Sequence, residues 1–456
     1  MAKEKTMATN GMNGADWSRR EALRLGLAGA AGVWMGGRAM ANLPTNQPAK
    51  TAPKAKAKSV IQVWLWGGPT QNDTFDPKPD AGSDYTGPFT SPIETNVSGI
   101  RINELMPLLA KQAHRYSLIR TMTHGNNGHE TAAYLVQTGR PPGGKLVFPS
   151  AGAIVALFNA YEAGYKGLIP PYIVLTRPQG RFSEAGFLGP KYKPFATGGN
   201  PAAAQFVVEG IVAEGVTRER QEARRDLLGN LNTLSNSMKD DPTLALSKDC
   251  AERAYDLILG DEGKVFDLNQ EKDEVRLAYG RNTFGQSCLL ARRLVEKGFP
   301  YITINYGGWD THKGNFQAMR SKLPQLDSGL ATLLEELAQR GLLESTIIWC
   351  CGEFGRTPKI DWQPPWDGGR HHYGACFSAL VAGGGFKGGH VVGESDKRAE
   401  HPKDRPVYPY DLLASMYELL GIDPEGALPH PSGMRVPMKP SEADGVKTAG
   451  KLKEIM

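Results

Sequence analysis

The sequence has few cysteines, no run of about 20 predominantly apolar residues and little net charge, and each shortage excludes something. Five cysteines, Cys250, Cys288, Cys350, Cys351 and Cys376, follow no regular spacing, which argues against a zinc ribbon or a small disulfide scaffold. Cys350 and Cys351 lie in an apolar run and read as buried thiols; the sequence leaves open whether any pair is oxidised. The formal charge of +5 falls further without the first forty residues, where Lys3, Lys5, Arg19, Arg20, Arg24 and Arg38 outnumber Glu4, Asp16 and Glu21. No basic stripe is left to hold nucleic acid. The glycine-rich stretch Gly383–Gly389 lacks the spacing of a dinucleotide fingerprint, which weighs against a Rossmann nucleotide site. No internal repeat is present.

What is there begins with an export leader. Arg19-Arg20 stands on a polar n-region, a short Gly/Ala-rich apolar stretch follows from Leu25, and Ala39-Met40-Ala41 supplies the small residues a signal peptidase accepts. The layout predicts a twin-arginine signal over residues 1–41, recognised by the twin-arginine translocase and delivering a folded protein to the periplasm or outside. Its apolar core is too short for a stable membrane span. Residues 42–58, with the run Lys50–Lys58, read as a flexible linker. A domain is expected over 59–440 and a tail over 441–456. Its length suits one large α/β domain or two smaller ones.

Within the domain, apolar β-rich runs end in glycine or loop residues. Ser59–Trp66 runs into Gly67-Gly68-Pro69, and Tyr116–Arg120, Pro171–Leu175, Pro300–Tyr306, Ser345–Cys351 and Ser378–Ala382 follow the same pattern. Gln286–Lys297 and Gln317–Arg340 carry apolar residues at helical spacing, and 211–274 reads as a charged, mostly helical insert. Alternation of this kind predicts an α/β fold with a mainly parallel sheet between helices. Ligands of such folds bind beyond the carboxyl ends of the strands.

Acids and histidines gather beyond those ends. Asp73 and Asp76 follow the first strand, and His124 and His129 the second. Asp310 and His312 follow the strand ending at Tyr306; Glu353, Arg356, His371 and His372 follow the one ending at Cys351. Carboxylates with neutral imidazoles are the donor set for Zn²⁺, Mn²⁺ or a similar ion, which can polarise a phosphoryl-type oxygen. A single Asp-x-His or His-His pair is usually a turn or a surface pair; the recurrence after successive strands is what points to metal. Arg356 suits either an anion clamp or a structural pair with Asp361.

The segments WLWGGPTQNDTFDPKPD, WDTHKGNF, GEFGRTPKID and GGRHHYGACFSALVAGGGFKGG, behind a twin-arginine start, resemble the domain-of-unknown-function 1501 family. That family is usually grouped with the alkaline phosphatase and sulfatase superfamily. The resemblance implies an alkaline phosphatase-like three-layer sandwich, a mainly parallel central sheet flanked by helices, with a metal site at the strand ends. It implies Asp73, Asp310, His312, Glu353 and His371 or His372 as metal ligands, one or two ions in number. Phe354 stands where the superfamily pattern has a histidine. Counting back nine residues from Thr138 of Thr138-Gly139-Arg140 lands on His129, where the pattern has a hydroxyl nucleophile. His129 is therefore a ligand or a general acid/base, and Thr131 is the nearest hydroxyl. Neither Cys nor Ser stands in a C/S-x-P-x-R frame, so formylglycine chemistry is not expected.

Two functions follow as expectations. One is an exported metal-dependent hydrolase or transferase acting on phosphate or sulfate esters, of small molecules or of polysaccharides, with Arg356 steadying the anion and His129 or Thr131 taking the catalytic step. The other is a non-catalytic envelope binding protein of the same fold with a degenerate metal site.

Overall fold

The computed structural model describes residues 53–177, 184–204, 206–208, 216–231, 252, 255, 256 and 258–456. The predicted leader lies outside them, as do 211–215 and 232–251 of the 211–274 insert; in the described part of the insert Arg218–Leu231 is helical.

Eight strands form the central sheet: β1 Ser59–Trp64, β2 Tyr116–Met122, β3 Tyr172–Leu175, β4 Phe195–Ala196, β5 Tyr301–Asn305, β6 Thr346–Cys351, β7 Phe377–Ala382 and β8 His390–Val392. Their spatial order is β8-β2-β7-β6-β1-β5-β3-β4. Seven run parallel, and β7 alone is antiparallel to its neighbours β2 and β6. The fold is thus α/β with a mixed, mostly parallel sheet, and all six predicted strands are present. The two that the sequence did not announce, β4 and β8, are short edge strands without a buried apolar run.

Alternation along β1 shows why the sheet is covered on both faces. Ile61 and Val63 point into one core with Leu289 and Leu294 of α2 (Thr283–Glu296) and with Leu326, Leu330 and Leu334 of α3 (Asn315–Gln339). Val60 and Trp64 point the other way, toward Ala133 and Val136 of α1 (His129–Thr138), Ile154, and Leu412, Leu413 and Met416 of α4 (Pro409–Leu419). Each fully buried aliphatic side chain contributes roughly 1.5–3 kcal/mol relative to exposure, so these two layers dominate the fold's stability. Cys288, Cys350, Cys351 and Cys376 are free, buried thiols within this packing.

Both ends of the described domain are docked. Lys56 and Ala57 donate their amides to the Leu419 carbonyl, and Ala57 is buried, so the stretch predicted as linker joins the fold before residue 58. The stretch predicted as a tail buries Leu452 and Ile455, and the Ala449 and Gly450 amides donate to the Asp411 carboxylate. Among the described residues no helix is long and apolar enough to cross a membrane.

Candidate functional site

Strands β6, β1 and β5 are parallel neighbours at the sheet centre, so the loops after them emerge on one rim. Gly67, directly after β1 with φ +109°, permits close approach there: a Cβ at this position would overlap the Asp310 backbone nitrogen. Its amide donates to Glu353 at 3.0 Å, tying the β1 and β6 loops together. A two-stranded ribbon, Gly355–Arg356 against His372–Tyr373, brings His372 back over the same rim. The loop after β2 leads into α1, whose first residue is His129.

Asp310 stands at the middle. Its Oδ1 lies 3.2 Å from both His312 Nε2 and His372 Nε2, and its Oδ2 lies 3.3 Å from His129 Nε2. His129, Asp310 and His372 each bring one ligand atom within 4.8 Å of the others. His312 Nε2 adjoins them, 2.8 Å from His372 Nε2. Beneath the rings lies buried Phe354, stacked on His372 with centroids 4.7 Å apart and 5.0 Å from His129.

Hydrogen bonds made by the far sides of the rings decide what the near sides offer. His372 Nδ1 lies 2.8 Å from the Asn127 carbonyl oxygen, which can only accept, so Nδ1 carries the proton and Nε2 of the neutral ring is a bare lone pair. His129 Nδ1 lies 2.6 Å from Glu353 Oε1, which also accepts the Gly67 amide, so His129 Nε2 is bare by the same reasoning. Two bare imidazole nitrogens and a carboxylate therefore face one another with no proton between them. Such a cluster repels itself until a cation enters. Tetrahedral bonds of about 2.0–2.1 Å put neighbouring ligand atoms about 3.3 Å apart, close to the separations here. The residues fit a divalent metal.

Electrostatics favour the neutral, metal-binding form for His312 and His372, and in the metal-free protein oppose it for His129. Partial burial works against the Asp310 charge, but the hydrogen bond and charge of Arg356 hold its carboxyl at about 2. The Glu353 hydrogen bond raises His129 above its ordinary value. Desolvation lowers His312 and His372, which favours their neutral, metal-binding forms.

Five sequence assignments change. Asp73 is not at the rim: it is buried, with Oδ1 accepting from Arg370 at 2.9 Å and Oδ2 from Asn315 at 2.7 Å, so both oxygens are committed to structure. Glu353 is fully buried behind His129 and orients that ring instead of facing the cluster. Arg356 is buried too, and its donors go to the Gly67, Gly68 and Arg370 carbonyls and to Asp310, so it positions Asp310 and does not reach out to clamp an anion. It makes no ion pair with Asp361. Thr131 spends its hydroxyl on Asn126 Oδ1 and the Gly128 carbonyl in the first turn of α1. Both ring nitrogens of His371 are engaged away from Asp310, Nδ1 with His312 and Nε2 with Asp361.

Sequence reasoning missed Asn127, whose contribution is a backbone carbonyl and leaves no side-chain signal. It noted His124 without a role; its Nδ1 accepts the Asn126 amide, so its Nε2 donates to the Glu353 carbonyl at 2.7 Å, anchoring the orienting residue. Burial pushes His124 down to about 4, which keeps it neutral.

The family described as "Protein of unknown function (DUF1501)" matches residues 57–447. No curated protein matches. Solved structures give distant likenesses. The PsFucS1 sulfatase from Pseudoalteromonas sp. is 15% identical with TM-score 0.37, covering 95% of this chain and 77% of the sulfatase. The lipoteichoic acid synthase LtaP from Listeria monocytogenes is 10% identical with TM-score 0.37, covering 88% and 78%. An alkaline phosphatase from the Antarctic bacterium TAB5 is 12% identical with TM-score 0.32, covering 74% and 94%. At these values nothing about chemistry or substrate passes from them to this chain.

Proposed function

We propose that this chain, which belongs to the DUF1501 family of proteins of unknown function, is an exported, divalent-metal-dependent hydrolase of phosphate or sulfate esters. The observation that carries the reading is the convergence of His129 Nε2, His372 Nε2 and Asp310 on one point, with both rings oriented from behind to leave those nitrogens bare.

His129, Asp310 and His372 would hold one ion, with His312 beside them. Zn²⁺ suits the nitrogen-rich set best, and Mn²⁺ is the next choice. When bound, the ion supplies Lewis acidity toward an ester oxygen. The chain's own residues do the rest. Glu353 and the Asn127 carbonyl fix the two rings, Arg356 fixes Asp310, and Phe354 keeps water out from below. Helix α1 begins at His129, so its positive end faces the side from which an anionic ester would approach. With Thr131 engaged in its own turn, we assign attack to water and not to a side-chain hydroxyl. The Arg19-Arg20 leader supports export through the twin-arginine pathway to the periplasm or outside, where the ester could be a small molecule or a polysaccharide.

A second reading, a non-catalytic binding protein with a metal site, is favoured by one observation: Arg356 is spent on Asp310 and backbone carbonyls, so it is not free to clamp the transferred anion. Purified mature protein, assayed for metal and for turnover of p-nitrophenyl phosphate and p-nitrophenyl sulfate, separates the two. Metal-dependent turnover abolished by His372→Ala supports the hydrolase. Stoichiometric metal without turnover across an ester panel supports the binding protein.

A further inference from the structure

His312 brings a second histidine and a carboxylate with it. Its Nδ1 lies 2.9 Å from His371 Nδ1, and His371 Nε2 lies 3.0 Å from Asp361 Oδ2. A carboxylate accepts, so in the neutral His371 ring Nε2 carries the proton and Nδ1 is bare. With His312 Nε2 and His372 Nε2 both turned to a shared cation, which is what would relieve their own 2.8 Å contact, the 2.9 Å contact on the other side is bridged by a proton on His312 Nδ1. His312 Nε2 is thereby left bare, and it is the atom that faces Asp310 and His372. The opposite assignment of protons would set a lone pair of His371 against the Asp361 carboxylate.

We propose that Asp361 and His371 form a tautomer relay that makes His312 the fourth ligand of the metal site, His371 itself being a positioning residue that never touches the ion. The proposal rests on the metal reading above and deepens it: the site becomes a closed His₃Asp set in which each imidazole has its own orienting acceptor, Glu353 for His129, the Asn127 carbonyl for His372 and His371 for His312. Conversely, a complete fourth position limits the free coordination of the ion and requires an incoming ester oxygen to displace a ligand or to raise the coordination number.

The outer members are held in place. Asp361 donates its amide to the Gly369 carbonyl at 3.0 Å and accepts the Gly368 amide at 2.9 Å, closing the loop that carries Trp366. The Trp366 ring stands 5.0 Å from His371 and 6.1 Å from His312, filling the space outside the two imidazoles. His371 exchanges backbone and hydroxyl hydrogen bonds with Thr357, its amide donating to Thr357 Oγ1 at 3.0 Å and its carbonyl accepting the Thr357 amide at 2.8 Å. Gly369 lies so close to the His312 carbonyl that a Cβ there would overlap it.

The test is Zn²⁺ affinity by chelator competition on the mature chain, with the thermal midpoint of the metal-free protein read alongside. Loss of an orienting partner costs about 10–100-fold in metal affinity. Because His371 and Asp361 are partly exposed, at 35% and 30% of their side chains, the expected loss for Asp361→Ala and His371→Ala is at the lower end, about tenfold. His371→Gln is the discriminating variant: its amide oxygen can accept from His312 Nδ1 and its NH₂ can donate to Asp361, so affinity should return close to wild type. A direct ligand would not be rescued this way. Asp361→Ala and His371→Ala at wild-type affinity, or His371→Gln as weak as His371→Ala, overturns the relay. Wild-type protein that binds no Zn²⁺ at all overturns the metal reading beneath it, which is a separate failure.

Discussion

The Nδ1 atom of His129 and the Oε1 atom of Glu353 are 2.6 Å apart, and this contact turns the other ring nitrogen toward Asp310. Glu353→Gln keeps the volume but weakens the acceptor shared by His129 and the Gly67 amide. Zn²⁺ affinity should drop about 10–100-fold, read by chelator competition, while the ion remains at the site. An unchanged affinity would mean that Glu353 has no orienting role.

The same pair sets opposite pH trends in metal-free and metal-loaded protein. The Glu353 hydrogen bond raises the folded pKa of His129, so protonated His129 contributes stability that is full below its ordinary value and is lost as pH rises through the raised one. Metal binding needs neutral rings, so the ion's stabilisation grows with pH. In metal-free protein the deficit of His129→Ala should therefore be larger at about pH 6 than at about pH 9. The Tm gain from added Zn²⁺ should rise between about pH 5.5 and 8. Parallel trends in the two states would contradict the assignment.

Asp73 gives a clean negative control. Its carboxylate pairs with buried Arg370 and with Asn315, away from the histidines. Removing one partner of a buried pair costs about 3–5 kcal/mol, so Asp73→Ala should lose that much in denaturant unfolding. The folded fraction should keep its full metal content. Loss of metal from folded Asp73→Ala would return Asp73 to the ligand set.

The C-terminal residues should behave as core. Leu452 is fully buried and its amide donates to Ser415 Oγ at 2.9 Å. Leu452→Ala should cost about 2–5 kcal/mol by chemical denaturation. A change within about 0.5 kcal/mol, as for exposed substitutions, would mark residues 449–456 as a detachable tail.

The sheet was legible because its central strands are buried on both faces and so read as continuous apolar runs stopped by glycine, as Ser59–Trp66 does before Gly67. Edge strands such as Phe195–Ala196 carry no such run. At the site, Asp310, His312, His129 and His372 could be picked out because they follow successive strand ends. Their neighbours Asp73, Glu353 and Arg356 follow strand ends as well, and residue type cannot say which way a side chain turns. That depends on partners far along the chain: Arg370 for Asp73, the Gly67 amide for Glu353, and Asp310 for Arg356. The predicted tail at 441–456 misled for a similar reason, since its polar composition hides the two apolar residues that insert into the core.

Zinc content of the purified mature protein, measured beside His129→Ala, His372→Ala and the half-buried control His430→Ala, whose ring packs on Phe187, tests the central claim most directly. The account expects bound metal in wild type and in His430→Ala, and loss from both site variants. Full metal in folded His129→Ala and His372→Ala would contradict it.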